Sequence, residues 1–246
     1  MTLLEVQDVD VHFGGVRALQ SVSLDAAEST VTGLIGPNGA GKTTLFNVIC
    51  GLQEPDRGQV LLAGKDIGGK PAYQRARLGI ARTFQRLEVF GSLTARDNVL
   101  VAAEVHCSWS RSRYDPREVA EQILERVGIT RVADEQVDSL PTGLARLVEL
   151  GRALATQPRV LLLDEPSSGL DESESEDFGR LLLDLASEGL GILLVEHDID
   201  LVMSVCSTIH VLDFGSILAV GSPKEVQADE RVRAAYLGVD AGVELV

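Results

Sequence analysis

The chain has 246 residues, 45% apolar and 24% charged, which excludes a disordered segment and fits one large domain or two small ones. Its 37 acidic and 22 basic side chains give a net charge of −15, so most of the surface repels polyanions and no nucleic acid is expected as a partner. Cys50, Cys107 and Cys206 stand far apart without a C-x-x-C pair, no apolar run approaches the roughly 20 residues that span a bilayer, and Met1 to Glu5 lacks the basic start of a secretory signal; a reducing cytoplasm is the expected setting.

In chain order, the first 24 residues set Leu4, Val6, Val9 and Val11 among Glu5, Gln7, Asp8 and Asp10, the alternation of half-buried antiparallel strands, and Val22 to Leu24 repeats it. Val31 to Ile35, Val160 to Leu163 and Gly191 to Val195 are instead almost wholly apolar, as in strands buried on both faces of a parallel sheet, and are expected at its centre. Helical segments alternate with them. Thr43 to Cys50 stops at Gly51, and Phe178, Leu181, Leu182 and Leu185 share a face of a segment that stops near Gly189. The pattern is that of an α/β core.

Between the first two central strands, Val119, Ile123, Leu124 and Val127 form one helical face ended by Gly128. Leu144, Leu147, Val148, Gly151 and Leu154 form another, so a helical insertion interrupts the core, with a polar loop expected over Ser108 to Pro116. From Arg57 to Arg131 there are 13 basic and 8 acidic residues, a local excess of five that leaves −20 on the remainder. This charge contrast marks the middle stretch as a separate unit with either a solvated mixed-charge surface or a face for a partner.

Gly36-Pro37-Asn38-Gly39-Ala40-Gly41-Lys42-Thr43-Thr44 satisfies G-x-x-x-x-G-K-[ST] between a buried strand and a helix. The glycines let successive N–H groups converge on a phosphate at a helix N-terminus, Lys42 adds a full charge on the β- and γ-phosphates, and Thr43 offers a hydroxyl to Mg²⁺. At the end of a second buried strand stand Asp164, placed to hold the Mg²⁺ shell, and Glu165, placed to polarise an attacking water. No Asn-Lys-x-Asp segment for reading guanine occurs, which argues against a GTPase.

The order of these motifs resembles the ATP-binding subunit of an ABC transporter over nearly the whole chain. Thr83-Phe84-Gln85 resembles the Q-loop, whose glutamine reaches Mg²⁺ and the water. Ser168-Gly169-Leu170-Asp171 is similar to the D-loop, and Val195-Glu196-His197-Asp198 to the switch-histidine segment. Phe13, in Val11-His12-Phe13-Gly14-Gly15, takes the place of the adenine-stacking aromatic. The resemblance implies a P-loop NTPase core with a mostly parallel sheet, an N-terminal antiparallel β subdomain and an inserted α-helical subdomain at about 86–155, all in one nucleotide-binding domain over 1–246. It also implies a catalytic set of Glu165, His197 and Gln85, a metal set of Thr43, Gln85 and Asp164, and ATP with Mg²⁺ as ligands. The expected partners are a second copy or a paralogous ATPase, which closes on two ATP molecules, and integral membrane permease subunits that hold the chain on the cytoplasmic face of the membrane.

Ala81 to Gln85, Val195 to Asp198 and Ala235 to Gly238 are most similar to ATPases of branched-chain amino-acid importers, while the lipopolysaccharide-export ATPase shares much of the pattern. One motif departs. Leu140-Pro141-Thr142-Gly143-Leu144 stands where the family signature is Leu-Ser-Gly-Gly-Gln, leading into a helix expected near Leu144. Gly143 is retained, proline replaces the serine whose hydroxyl meets the partner's γ-phosphate, and Thr142 is the available substitute. A nucleotide-binding regulatory or scaffold subunit with weak turnover is therefore the rival reading.

Overall fold

A computed structural model describes residues 2–110 and 114–237, with side chains described as far as residue 235. The alternating N-terminal segment forms β1 (Thr2–Phe13) and β2 (Val16–Ala27), paired antiparallel from Thr2 with Ala27 to Phe13 with Val16. β3 (Val31–Ile35) is buried at all five positions and runs into the glycine loop, after which α1 (Lys42–Cys50) ends on Gly51 at φ +74°. That left-handed cap costs a glycine little, and its N–H reaches the carbonyls of Asn47 and Val48.

β4 (Arg57–Leu62) and β5 (Lys65–Asp66) complete a four-stranded sheet in the order β2-β1-β4-β5, and α2 (Ala72–Arg77) leads to β6 (Ile80–Arg82). Three long helices follow: α3 (Ala95–Ser110), α4 (Pro116–Arg126) and α5 (Thr142–Leu154). Asp115 caps α4 through Arg117 N–H with Pro116 at its first turn, so the anticipated helix there starts on a defined signal. The chain then alternates through β7 (Val160–Asp164), α6 (Glu172–Ser187), β8 (Gly191–Val195), α7 (Ile199–Val205), β9 (Thr208–Asp213), β10 (Ser216–Gly221), α8 (Pro223–Ala228) and α9 (Glu230–Leu237).

The second sheet has the order β10-β9-β3-β8-β7-β6, in which only β10 is antiparallel to its neighbour. The three expected central strands sit side by side as β3, β8 and β7, buried at every position, so the carboxyl ends of β3 and β7 open onto the same edge. One apolar cluster fills the space between the two sheets around Phe46 and Leu34. The other joins α3, α4 and α5 to α6 and α7 across the opposite face.

Two expectations change. α3 runs on through Ser110, so residues 108–110 of the expected polar loop are helical; His106 packs edge-on against Trp109 with ring centres 4.5 Å apart and stacks near Tyr114, and this aromatic contact outweighs local polarity. Residues 111–113 of that stretch, and Gly238 of the Ala235 to Gly238 ending, lie outside the described residues. The helix expected near Leu144 begins at Thr142, with Pro141 in the N-cap position, extended at φ −54° and ψ 151°.

Candidate active site

The phosphate loop is shaped by contacts that only glycine permits. A Cβ on Gly36 would lie 1.9 Å from the Leu212 carbonyl oxygen, and one on Gly41, at φ +110°, 2.6 Å from that of Ala18. The loop is also tied to the β9–β10 turn, where Gly215 N–H donates to Ala40 O at 2.9 Å and Gln20 N–H to Gly215 O at 2.7 Å. Lys42 folds back over the loop and donates through Nζ to Gly36 O at 2.5 Å and Pro37 O at 3.1 Å. Only 7% exposed, its ammonium has its pKa pushed down by burial, while the Glu165 and Asp164 carboxylates oppose that shift.

A cleft of about 580 Å³ brings Asn38, Gly39, Ala40, Gly41, Lys42, Thr43 and Thr44 together with Gln85 and Glu165. Gly36 forms the base of the loop outside the cleft wall, and Pro37 lines an adjoining hollow with Asn38 and Phe214. Phe13 is half exposed at the end of β1 and does not line the cleft, whose wall on that side starts at Val16 and Arg17. The ring is free of the core, as stacking on a base requires.

Glu165 is held from both sides. Gln85 donates through Nε2 to Glu165 Oε2 at 2.9 Å, and His197 Nε2 lies 2.8 Å from Oε1. The glutamate backbone is at φ +51°, a conformation costing on the order of 1–3 kcal/mol outside glycine, and its N–H is anchored to Val195 O at 2.8 Å. Strand β8 thus fixes both the backbone of Glu165 and, two residues on, His197. Three residues far apart in the sequence, Gln85, Glu165 and His197, form one hydrogen-bonded row beside the phosphate loop.

Asp164 lies at the end of β7, buried, with Oδ2 2.8 Å from Arg82 Nη2. Sequence reasoning missed Arg82 as well as Glu196, which is buried, accepts from Ser167 N–H at 2.7 Å and His197 N–H at 3.1 Å, and has its pKa raised by desolvation. Also missed was the Arg146 and Glu149 pair on α5. Arg146 donates to the carbonyls of Phe84 at 2.8 Å and Gln85 at 2.5 Å, and Glu149 Oε1 accepts from the N–H groups of Phe84 and Glu88, each at 3.2 Å. Charges on an apolar helix face, one turn apart, were the available signal.

Thr142 and Gly143 do not line the cleft. They pack on the Ser168 to Asp171 loop of the same chain, where a Cβ on Gly143 would stand 2.7 Å from Leu170 Cδ2 and one on Gly169 3.1 Å from Thr142 Cγ2. Asp171 caps α6 and shares a capping box with Glu174.

Among the described residues no group of three or more His, Cys, Asp or Glu is arranged to hold a metal ion. The donors near the loop are the Thr43 hydroxyl, the Gln85 amide and the Asp164 carboxylate. This hard-oxygen set suits Mg²⁺, whose remaining positions are met by phosphate and water. The cradle at Gly36 and Gly41, which a Cβ would obstruct, suits the phosphates themselves.

The ABC transporter family profile matches residues 19–168, and that of the branched-chain amino acid ATP-binding cassette transporters matches residues 216–242. The high-affinity branched-chain amino acid transport ATP-binding protein BraF of Pseudomonas aeruginosa is 39% identical over 96% of this chain and 98% of its own. The lipopolysaccharide export system ATP-binding protein LptB of Acidithiobacillus ferridurans is 38% identical over 96% and 97%. A nucleotide-free ATP-binding cassette from an ABC transporter superposes with a TM-score of 0.85 at 32% identity, covering 96% of this chain and 99% of that one. A dimeric cassette bound to ADP and phosphate does so at 0.79 and 25%, covering 90% and 99%. Phosphate loop, strand-end carboxylates, sheet order and these likenesses agree over the length of the molecule: the chain belongs to the ABC transporter family, as an ATPase subunit.

Proposed function

We propose that the chain is the ATP-hydrolysing motor of a branched-chain amino-acid importer, acting as a dimer that closes on two Mg-ATP and drives membrane subunits. The observation that carries hydrolysis is the row of Gln85, Glu165 and His197 beside the phosphate loop. The choice of importer rests on the match over residues 216–242 and the likeness to BraF.

In this mechanism the backbone N–H groups of the loop and Lys42 hold the β- and γ-phosphates, so Lys42 gives up its bonds to Gly36 O and Pro37 O in favour of phosphate oxygens. Magnesium bound with the nucleotide would neutralise charge on the transferring phosphoryl group. Thr43, Gln85 and Asp164 are the residues that would hold it. Glu165 accepts the water proton, with its two oxygens aimed by Gln85 and His197. Phe13 stacks on the base. Thr142 and Gly143, absent from the chain's own cleft, serve the nucleotide of the second copy, for which the N-terminus of the thirteen-residue helix α5 supplies partial positive charge. A dimeric cassette among the structural relatives supports that arrangement.

Docking to membrane subunits is supported by a mainly apolar groove of about 490 Å³ between α1, α2, α3 and α5, with Leu52, Ala102, Val105 and Phe90 on its wall and Arg75, Arg82, Glu88, Glu149 and Arg152 as its charged residues. The groove takes one side from residues 50–82 and the other from the inserted helical unit. Together with the absence of a helix among the described residues long and apolar enough to cross a membrane, it favours peripheral attachment through the inserted helical unit at about 86–155. Val105 is exposed and lines this groove. Val105→Glu is therefore expected to abolish co-purification with the membrane subunits and lower transport by about tenfold or more, since about 1.4 kcal/mol accompanies each tenfold. ATP binding by the isolated chain should be unchanged; equal losses in both assays would remove the groove from the docking role.

The altered signature gives a further expected result. Thr142 is exposed at the first turn of α5, so Thr142→Ala should lower kcat at saturating ATP by the worth of a hydrogen bond to a charged group, about 1.5–3 kcal/mol, while Pro141→Ser should raise it or leave it unchanged. Steady-state phosphate release from the assembled complex checks both. Wild-type turnover in Thr142→Ala would leave Gly143 and the helix backbone as the whole anion site. Reconstitution of the complex in vesicles, with ATP-driven uptake of leucine, isoleucine or valine as the readout, tests the substrate; ATP hydrolysis without such uptake overturns the importer reading while leaving the motor intact.

A further inference from the structure

The Arg82 side chain is almost wholly enclosed, and its guanidinium reaches the end of β7, the helix that follows the phosphate loop and the neighbour of Gln85. Its Nη2 donates to Asp164 Oδ2 at 2.8 Å with both side chains 6% exposed or less. Its Nη1 donates to Asn47 Oδ1 at 2.7 Å, on the helix that the phosphate loop opens. The guanidinium lies 5.2 Å from the ring centre of Phe46 on that helix and 4.8 Å from that of Phe84, the neighbour of Gln85. Thr83, also buried, ties the same segment to β7 through its N–H to Leu162 O at 2.9 Å. A guanidinium fixed by two rings and an amide has its fork direction set before it meets a carboxylate.

We propose that Arg82 is a positioning residue for hydrolysis: it holds Oδ2 of Asp164 so that the carboxylate can turn only Oδ1 toward the metal that accompanies ATP. The inference rests on the reading of Asp164 as the metal carboxylate. Two opposed effects follow from its charge. Arg82 repels a divalent cation at the site, which weakens metal binding. It also fixes one carboxylate geometry, which speeds the reaction.

The signature is thus a split that general damage to the fold does not produce. In Arg82→Met, Mn²⁺ binding to the ADP-bound protein, followed by electron paramagnetic resonance, should tighten by about threefold or more as the like charge is removed. Turnover should fall about tenfold or more as Asp164 becomes free to rotate, with KM for ATP unchanged. The Mn²⁺ lines should broaden because the ligand set is no longer single.

Removing one partner of a buried pair destabilises strongly, so Arg82→Lys, which keeps the charge without the fork, is measured alongside. It should bind Mn²⁺ as the wild type does, with slower turnover and broadened lines. Asp164→Asn is the control for the underlying reading. If it leaves Mn²⁺ binding unaltered, Asp164 is not the metal carboxylate and both readings fall. If Asp164→Asn weakens Mn²⁺ as expected but Arg82→Met or Arg82→Lys loses metal affinity and turnover in parallel, or keeps wild-type turnover and lines, the positioning role alone is overturned.

Discussion

Glu165→Gln should bind ATP as the wild type does and hydrolyse it about 10²–10⁴-fold more slowly, the usual cost of removing a general base. Gln85 and His197 both approach the carboxylate, at 2.9 and 2.8 Å, one at each oxygen. An amide of the same shape offers one acceptor and one donor, so it keeps the Gln85 bond through its oxygen and meets His197 through its NH₂ group when the neutral imidazole presents an unprotonated Nε2. The row survives and the basic oxygen does not. The nucleotide then persists, and two subunits should elute together in size-exclusion chromatography with ATP while phosphate release is lost. Monomer elution together with wild-type turnover would take the base away from Glu165 and return the weak-turnover scaffold reading to the front.

The parts of this site that were legible in the sequence are those whose chemistry is local. The phosphate loop is written in nine consecutive residues, because glycines, lysine and threonine must follow one another to wrap one anion. The buried central strands were legible because a strand covered on both faces has no polar alternation, and Val31 to Ile35, Val160 to Leu163 and Gly191 to Val195 are fully buried. Arg82, Arg146 and Glu149 were not, because a charge at a buried position carries meaning only through a partner distant in the chain. Arg82 meets Asp164 across 82 positions and Arg146 meets Gln85 across 61. Helix α3 was hidden for a related reason. Its inward face is small and partly polar, with Ala95, Asn98, Val99 and Ala103 buried, and Asn98 donates to the carbonyls of Phe90 and Thr94 rather than packing as a hydrophobe. An apolar period is weak where the contact layer is thin.

The other large effect is expected at Lys42. Lys42→Ala should reduce ATP affinity at least about 100-fold, about 2.8 kcal/mol at 1.4 kcal/mol per tenfold, as read by equilibrium titration with labelled ATP and Mg²⁺. The side chain has two duties before and after binding. Without nucleotide its ammonium gathers the carbonyls of Gly36 and Pro37, holding the base of the loop; with nucleotide it is the cation that offsets the phosphates. Its loss also leaves Asp164 and Glu165 facing a polyanion with one fewer compensating charge, since both carboxylates act on Lys42 in the free protein. Stability separates loss of charge from collapse of the loop. Burial disfavours the charged ammonium, so alanine relieves a desolvation cost while removing two hydrogen bonds, and the two changes oppose each other. The nucleotide-free variant should accordingly melt near the wild type, while the rise in Tm that saturating ATP gives the wild type should vanish, because stabilisation by a ligand scales with its occupancy. A large fall in Tm without nucleotide would make Lys42 chiefly a brace of the loop. Unchanged ATP affinity would show that Gly36 to Thr44 is not the nucleotide site, and the motor reading would fall with it.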